Sequence, residues 1–334
     1  IIILTNDGEF MNLMVGPQSG VQKEYLARVK GIVNASALNR LENGVMINGK
    51  MTLPAIVSLA SIDRENSSSL VRITITQGMN HQVKEMFKAV GYEVKKLNQQ
   101  GHKILIATGR PFRSSHFVYK EIGLNTPIIN YNGALVENPT DSNFPKTDLR
   151  ISRKSLFDIL DYCGDSLINV FSEIHDNIYV MRYDDLTHPY LHVDGGYLNE
   201  GRLQDILPDD PNGSILFVKQ EFVIPLEKYI KEHYSDTLRS RYWGEGDLFH
   251  IVEIYNINVN KGCGLESAIN YYNIDRKNVI AIGDGHNDIE MFNIAHTKVA
   301  MANSHKELLP HANVITKSNK EKGVYLFLKD YFKI

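Results

Sequence analysis

The chain has little cysteine: Cys163 and Cys263, far apart in sequence, are the only two in 334 residues. They form no metal-spaced pair, which excludes a disulfide framework and predicts reduced thiols. Long apolar runs are missing as well. At the amino terminus only Ile1–Leu4 is apolar, far short of a signal peptide or a membrane span, so a cytoplasmic setting without membrane contact is expected. The first residue is Ile rather than Met, which reads as the start of a fragment. Nor does one sign of charge dominate, the formal net charge being −3.

What the sequence does contain starts with Gly283-Asp284-Gly285-His286-Asn287-Asp288-Ile289-Glu290-Met291, which follows the apolar run Val279-Ile280-Ala281-Ile282. Carboxylates placed where a buried strand gives way to a glycine turn and a helix predict a Mg²⁺ site, at Asp284 and Asp288, that faces a phosphate. Asp and Asn are also common in turns and N-caps, so the neighbouring motifs decide. In Lys103–Pro111 a short β-branched run delivers the Thr108 hydroxyl and the Gly109 amide, with Arg110 next, at the carboxyl end of a strand. Ligands of open α/β sheets bind there, and a hydroxyl suits a phosphate oxygen. Lys261 precedes a helix whose Leu265, Ala268, Ile269 and Tyr272 share one face. A lysine at a helix entrance works against the dipole, which favours a phosphate-neutralising role over mere solubility.

Together, Thr108, Lys261 and Asp284/Asp288 resemble motifs two, three and four of the haloacid-dehalogenase-type phosphatases, over about Leu97 to Ile334. The stretches Ile128–Ala134, Val299–Asn303, Ala312–Thr316 and Lys322–Val324 are similar to the Cof-like subclass. The resemblance implies a small phosphorylated metabolite as substrate and Mg²⁺ as cofactor. Thr108 and Lys261 would bind the transferring phosphoryl group, and Asp288 would hold Lys261 and the metal's water shell. Gly109, Arg110, Asn132, Gly133 and Asn287 would contact substrate. The family's nucleophile, the first Asp of Asp-x-Asp-Gly-Thr, has no counterpart anywhere in the chain. The nearest segment, Ile1–Phe10, puts Thr5 at that place, and a threonine cannot form the acyl-phosphate. Hydrolysis by this chain is therefore expected to be impaired.

Residues 1–97 resemble the carboxyl-terminal part of a ribosomal small-subunit pseudouridine synthase. The matching stretches are Leu4–Glu9, Lys23–Val29, Leu53–Ala55 and Ile75–Lys84 running into Met86–Gly91. The resemblance implies that Tyr25 packs against the target uridine and that Lys84 lies beside a catalytic aspartate, which is itself absent. Residues 1–97 hold eleven Lys and Arg against eight Asp and Glu, a net of +3, so the remainder carries −6. That excess permits weak rRNA contact without requiring it. An RNA pseudouridine synthase and a non-catalytic phosphometabolite-binding protein remain the alternative functions, and no protein partner is implied. The join near Tyr92–Asn98 has no Pro, Gly or Ser linker, so the chain reads either as a fusion made by deletion or as an assembled fragment.

The expected fold is α/β. An α+β synthase fragment (1–97) precedes a Rossmann-like doubly wound parallel sheet (98–136 and 251–334) with an inserted αβ cap (137–250). Runs at Lys103–Ala107, Pro127–Asn130, Asn278–Ile282 and Lys298–Met301 predict the parallel strands. His175, His188 and His192 show no ligand spacing and are expected on the surface or in loops. The family's first, central strand is missing between the strands ending at Thr108 and Asp284. Either the core suffers from unpaired backbone groups, or Ile1–Leu4 fills the gap.

Overall fold

The computed structural model describes residues 2–4, 22–64, 66–77, 79, 81–100, 102–121, 123–185, 187–246 and 248–332. The first unit is an antiparallel sheet in the order Ile56–Asp63, Ser68–Ile75, Lys23–Lys30, Val94–Gln100. Its pleat is written in alternation: Ala27 and Val29 are buried while Arg28 and Lys30 are exposed, and Val71, Ile73 and Ile75 face the same core. Two helices cover that face. Ala35–Glu42 starts where the Asn34 side chain accepts from the Ala37 amide at 2.8 Å and buries Ala37 and Leu41; Gln82–Ala89 buries Val83, Met86 and Phe87. The strand Val94–Gln100 places Gln100 opposite Glu24, so this sheet runs past the expected boundary at 97.

The next sheet begins at Lys103 with the order Ile2–Leu4, Lys103–Ala107, Ile128–Asn130, Leu135–Glu137, Thr147–Asp148. A parallel set, Ile280–Gly283, Thr297–Ala300 and Val314–Ile315, continues it. Alternate residues serve the two faces. Leu105 and Ala107 pack with Leu265, Ala268 and Ile269 of the helix Lys261–Tyr272, whereas Ile106 packs with Tyr119 of Phe112–Glu121 and with Val324 and Leu328 of Gly323–Phe332. Ala281 joins the first cluster and Ile280 and Ile282 the second, so both strand sets form one doubly wound layer.

The position expected to lack a strand is occupied. Ile2, Ile3 and Leu4 pair in parallel with Lys103, Ile104 and Leu105, and their other side lies next to Ile280–Gly283. An open seam would leave buried amides and carbonyls unpaired at roughly 1–3 kcal/mol each, which is the physical reason for a borrowed strand. Ile1 and Thr5 lie outside the described residues.

The cap is a sheet in the order Tyr197–Glu200, Asn177–Val180, Leu167–Ile174, Gly213–Val218, His250–Asn256, Leu238–Glu245, backed by the helices Arg153–Cys163 and Val223–Tyr234. Two edges differ from the expected 137–250. The pairing of Leu135–Glu137 with Thr147–Asp148 keeps the main sheet going to Asp148, and His250–Asn256 belongs wholly to the cap sheet. Among the described residues no helix is long and apolar enough to cross a membrane.

Asp148, at the cap's entrance, accepts from Arg150 at 3.0 Å, His175 at 2.9 Å and Asn212 at 2.7 Å. His175, expected on the surface or in a loop, lies in a turn (φ 51°) and bonds Asp148 from there. Burial would raise the Asp148 pKa, yet the hydrogen bonds from Arg150, His175 and Asn212 hold it well below the usual carboxylate range. A depressed pKa contributes stability that is present above the unfolded value near 4 and is lost as pH falls through the folded one. Asp148→Asn is expected to lower unfolding free energy by about 1–3 kcal/mol at pH 7, with the deficit shrinking below pH of about 4. Urea unfolding of both proteins at neutral and acid pH checks this; an equal deficit at both refutes the charge argument.

Candidate active site

A cavity of about 680 Å³ opens at the carboxyl ends of the main-sheet strands, under the cap. Thr108, Gly109, Arg110, Asn132, Lys261 and Asn287 line its sheet side, so six of the expected residues converge. Thr108 is fixed by its amide, which donates to Ile129 O at 2.8 Å, and by its Oγ1, which accepts from the Arg110 amide at 3.1 Å. The Asn132 amide in turn donates to Thr108 O at 3.0 Å. Tyr131 and Asn132 are left-handed (φ 49° and 56°), which throws the Asn132 side chain toward Gly109. Gly133 (φ 107°) lies where a Cβ would sit 2.3 Å from Asn260 O, so it locks this turn onto the entrance of the Lys261 helix.

That helix starts with the Asn260 side chain accepting from the Cys263 amide at 2.8 Å. Lys261 is buried, and its Nζ donates to Asp288 Oδ1 at 2.7 Å. Asp288 Oδ2 accepts from the amides of Asp284 and Gly285, both at 3.0 Å. The opposed helix dipole is offset by this carboxylate. Asn287 Nδ2 donates to Asn132 Oδ1 at 2.8 Å, which ties the loop to the Asn132 turn.

Mg²⁺ takes hard oxygen donors, commonly one or two carboxylates with phosphate and water oxygens. Asp288, expected both among its ligands and as the holder of Lys261, binds Lys261 through Oδ1 and the two amides through Oδ2, so it clamps Lys261 to the loop. Asp284, directly after the strand Ile280–Gly283, is the loop's other carboxylate. No group of three metal-ligating side chains occurs among the described residues. They fit the ion only in company with a phosphate ligand.

Residues of the cap side escaped the sequence reading. Glu173, Glu253, Trp243, Tyr190 and His192 line the cavity. His192 was expected merely in a loop; burial and the nearby Arg110 lower its pKa. Behind Glu173 stands Arg113, buried, which bonds Glu173, the Tyr131 hydroxyl at 3.4 Å and the carbonyls of His175, Leu191 and His192 at 3.3, 3.2 and 3.1 Å. Burial raises the Glu173 pKa against the pull of Arg113. Arg113, in the first turn of Phe112–Glu121, gives little local signal: Tyr131 is 18 positions away and its other side-chain partners lie sixty to eighty away.

Tyr25 and Lys84 belong to the first unit and do not line the cavity. Tyr25 is half-buried in Lys23–Lys30, opposite Ile73 and Gln99, and burial raises its pKa. Lys84 is exposed on the outer face of Gln82–Ala89.

A doubly wound sheet with an inserted cap, closing over a buried Lys–Asp pair at the strand ends, defines a class of α/β hydrolytic enzyme. The chain belongs to the haloacid dehalogenase-like hydrolase family, whose sequence pattern matches residues 78–328. It is 32% identical over 246 residues to the 5-amino-6-(5-phospho-D-ribitylamino)uracil phosphatase YitU of Bacillus subtilis, covering 73% of this chain and 90% of that protein. A haloacid dehalogenase-like hydrolase structure from Bacteroides thetaiotaomicron shares the fold, with TM-score 0.57 and 21% identity over 69% of this chain and 86% of that one. The amino-terminal part is similar to the ribosomal large subunit pseudouridine synthase B of Bacillus subtilis, 39% identical over 109 residues. That match covers 33% of this chain and 45% of the synthase, so the chain spans less than half of that relative. The synthase resemblance therefore holds, with a large-subunit enzyme where a small-subunit one was expected.

Proposed function

We propose that the cavity is the phosphoryl site of a phosphatase acting on small phosphorylated metabolites, impaired in this chain for want of its nucleophile. The observation that carries this reading is the buried Lys261–Asp288 pair beside Thr108. A buried cation is costly unless matched by charge, and Lys261 lines the cavity, where an incoming phosphate would share it. Thr108 Oγ1 and the Gly109 amide would bond phosphate oxygens, Lys261 would neutralise their charge, and Asp288 would keep Lys261 in place. Mg²⁺ held by Asp284 and the phosphate would supply further charge neutralisation. The sequence offers no carboxylate at the attacking position, where alignment of Ile1–Phe10 on its Asp-Gly puts Thr5. A cytoplasmic setting is in keeping with the two unpaired thiols, Cys163 buried and Cys263 exposed. Residues 1–97 would add at most weak rRNA contact through their small positive excess.

Calorimetric titration with inorganic phosphate tests the site apart from turnover. Phosphate is expected to bind with Mg²⁺ present, and chelation or Asp284→Asn is expected to weaken it by about tenfold, a loss of about 1.4 kcal/mol. Absence of phosphate binding in the presence of Mg²⁺ sinks the reading.

A further inference from the structure

The cap side of the cavity has a chemistry of its own. Among the described residues its lining includes two carboxylates, Glu173 and Glu253, and the rings of Phe171, Tyr190 and Trp243, but no Lys or Arg. The lining cations Arg110 and Lys261 both come from the main-sheet side. The arginines nearest the two carboxylates stand behind them. Arg113 holds Glu173 from a side chain 4% exposed, and Arg241 meets Glu253 Oε2 at 3.4 Å from one 10% exposed. Trp243 Nε1 donates to the same Glu253 oxygen at 2.7 Å, and Asn132 Nδ2 reaches Glu253 Oε1 at 3.4 Å. Glu173 is thereby held by an arginine outside the cavity, and Glu253 by Arg241 from outside and by Trp243 and Asn132 within its wall, so that both line the cavity as fixed acceptors.

We propose that Glu173 and Glu253 select the part of the ligand beyond the phosphoryl group: an uncharged or cationic moiety carrying hydroxyl or amino donors, flat or chain-like enough to lie against Trp243 and Tyr190. The inference rests on the phosphoryl-site reading above. Oriented carboxylates reward donors with charge-assisted hydrogen bonds. A second anionic group on the ligand meets like charge in a partly desolvated cavity, and rejection of that kind is a source of specificity as strong as attraction. Arg113 acts as a positioning residue here, since its bonds to the carbonyls of His175, Leu191 and His192 fix the wall that carries Glu173.

The test is calorimetric titration of the full chain, with Mg²⁺, using three probes. Inorganic phosphate reports the phosphoryl end alone, ribitol 5-phosphate adds an uncharged polyol, and 6-phosphogluconate adds a polyol ending in a carboxylate. Ribitol 5-phosphate is expected to bind at least about tenfold tighter than 6-phosphogluconate, a preference of the size that a single charged hydrogen bond gives. In Glu253→Gln and Glu173→Gln, each referred to that variant's own phosphate affinity, the preference should narrow to about threefold or less. Glu253→Gln keeps an acceptor for Trp243 and remains informative if loss of Arg113's partner unfolds the cap in the other variant. Equal binding of the two esters by the unaltered chain, or a preference that survives in Glu253→Gln, overturns the inference while leaving the phosphoryl site standing. Failure of phosphate itself to bind removes both.

Discussion

Hydrolysis of an aryl phosphate by this chain, with Mg²⁺ in excess, is expected to run about four to six orders of magnitude below that of a relative with its first-motif carboxylate. Removing a covalent nucleophile from an enzyme that works through one leaves only binding and polarisation, and losses of that size follow in other covalent hydrolases. The described site has what is needed to hold a phosphate: Thr108, the Gly109 amide and Lys261 converge on one cavity. At the attacking position alignment puts Thr5, which lies outside the described residues and is no carboxylate. Release of nitrophenolate from p-nitrophenyl phosphate is the measurement. Robust turnover that requires Mg²⁺ and disappears in Asp284→Asn would reveal a substitute nucleophile.

Breaking the Lys261–Asp288 pair from either end is expected to lower the unfolding free energy by about 3–5 kcal/mol, because each single change strands a charge in a site only 2–3% exposed. Lys261→Met leaves Asp288 with its two amide donors, so it is expected at the lower end. Asp288→Ala also removes the acceptor of the Asp284 and Gly285 amides and should be the worse of the two. The double replacement should cost clearly less than the sum, since no orphaned charge remains. Against a total of about 5–15 kcal/mol, denaturant unfolding resolves these differences easily. Additive losses in the cycle would show that the two side chains do not act as a pair.

The parts of the fold that announced themselves were those with a local code. Lys103–Ala107 forms a strand over the very range that its β-branched run indicated. Lys261, at a helix start where its charge is locally unfavourable, proved to be buried against Asp288. The cap's limits were harder to read. In His250–Asn256 the buried residues come in pairs, Ile251 with Val252 and Ile254 with Tyr255, and a strand covered on both faces carries no period to tell its sheet from the next. Distant partners hid most completely. Arg113 and Glu173 are sixty positions apart, and each looks like an ordinary surface charge until the cap folds over the helix. Spacing likewise shows that Asp288 is a carboxylate in the loop but not that Lys261 and the amides of Asp284 and Gly285 are what it holds.

The ladder between Ile2–Leu4 and Lys103–Leu105 sets an order of events. It joins segments about a hundred positions apart, and closing a loop of that length costs about 4 kcal/mol from its logarithmic term alone. Three residue pairs offer little in return until the neighbouring strands and helices are in place. Contacts so distant in sequence form slowly, so the rest of the doubly wound layer folds first and leaves a slot for them. The same balance makes this strand the first to leave when the layer opens locally. The hydrolase-like body thus depends, for its last strand, on residues at the far end of the unit that precedes it.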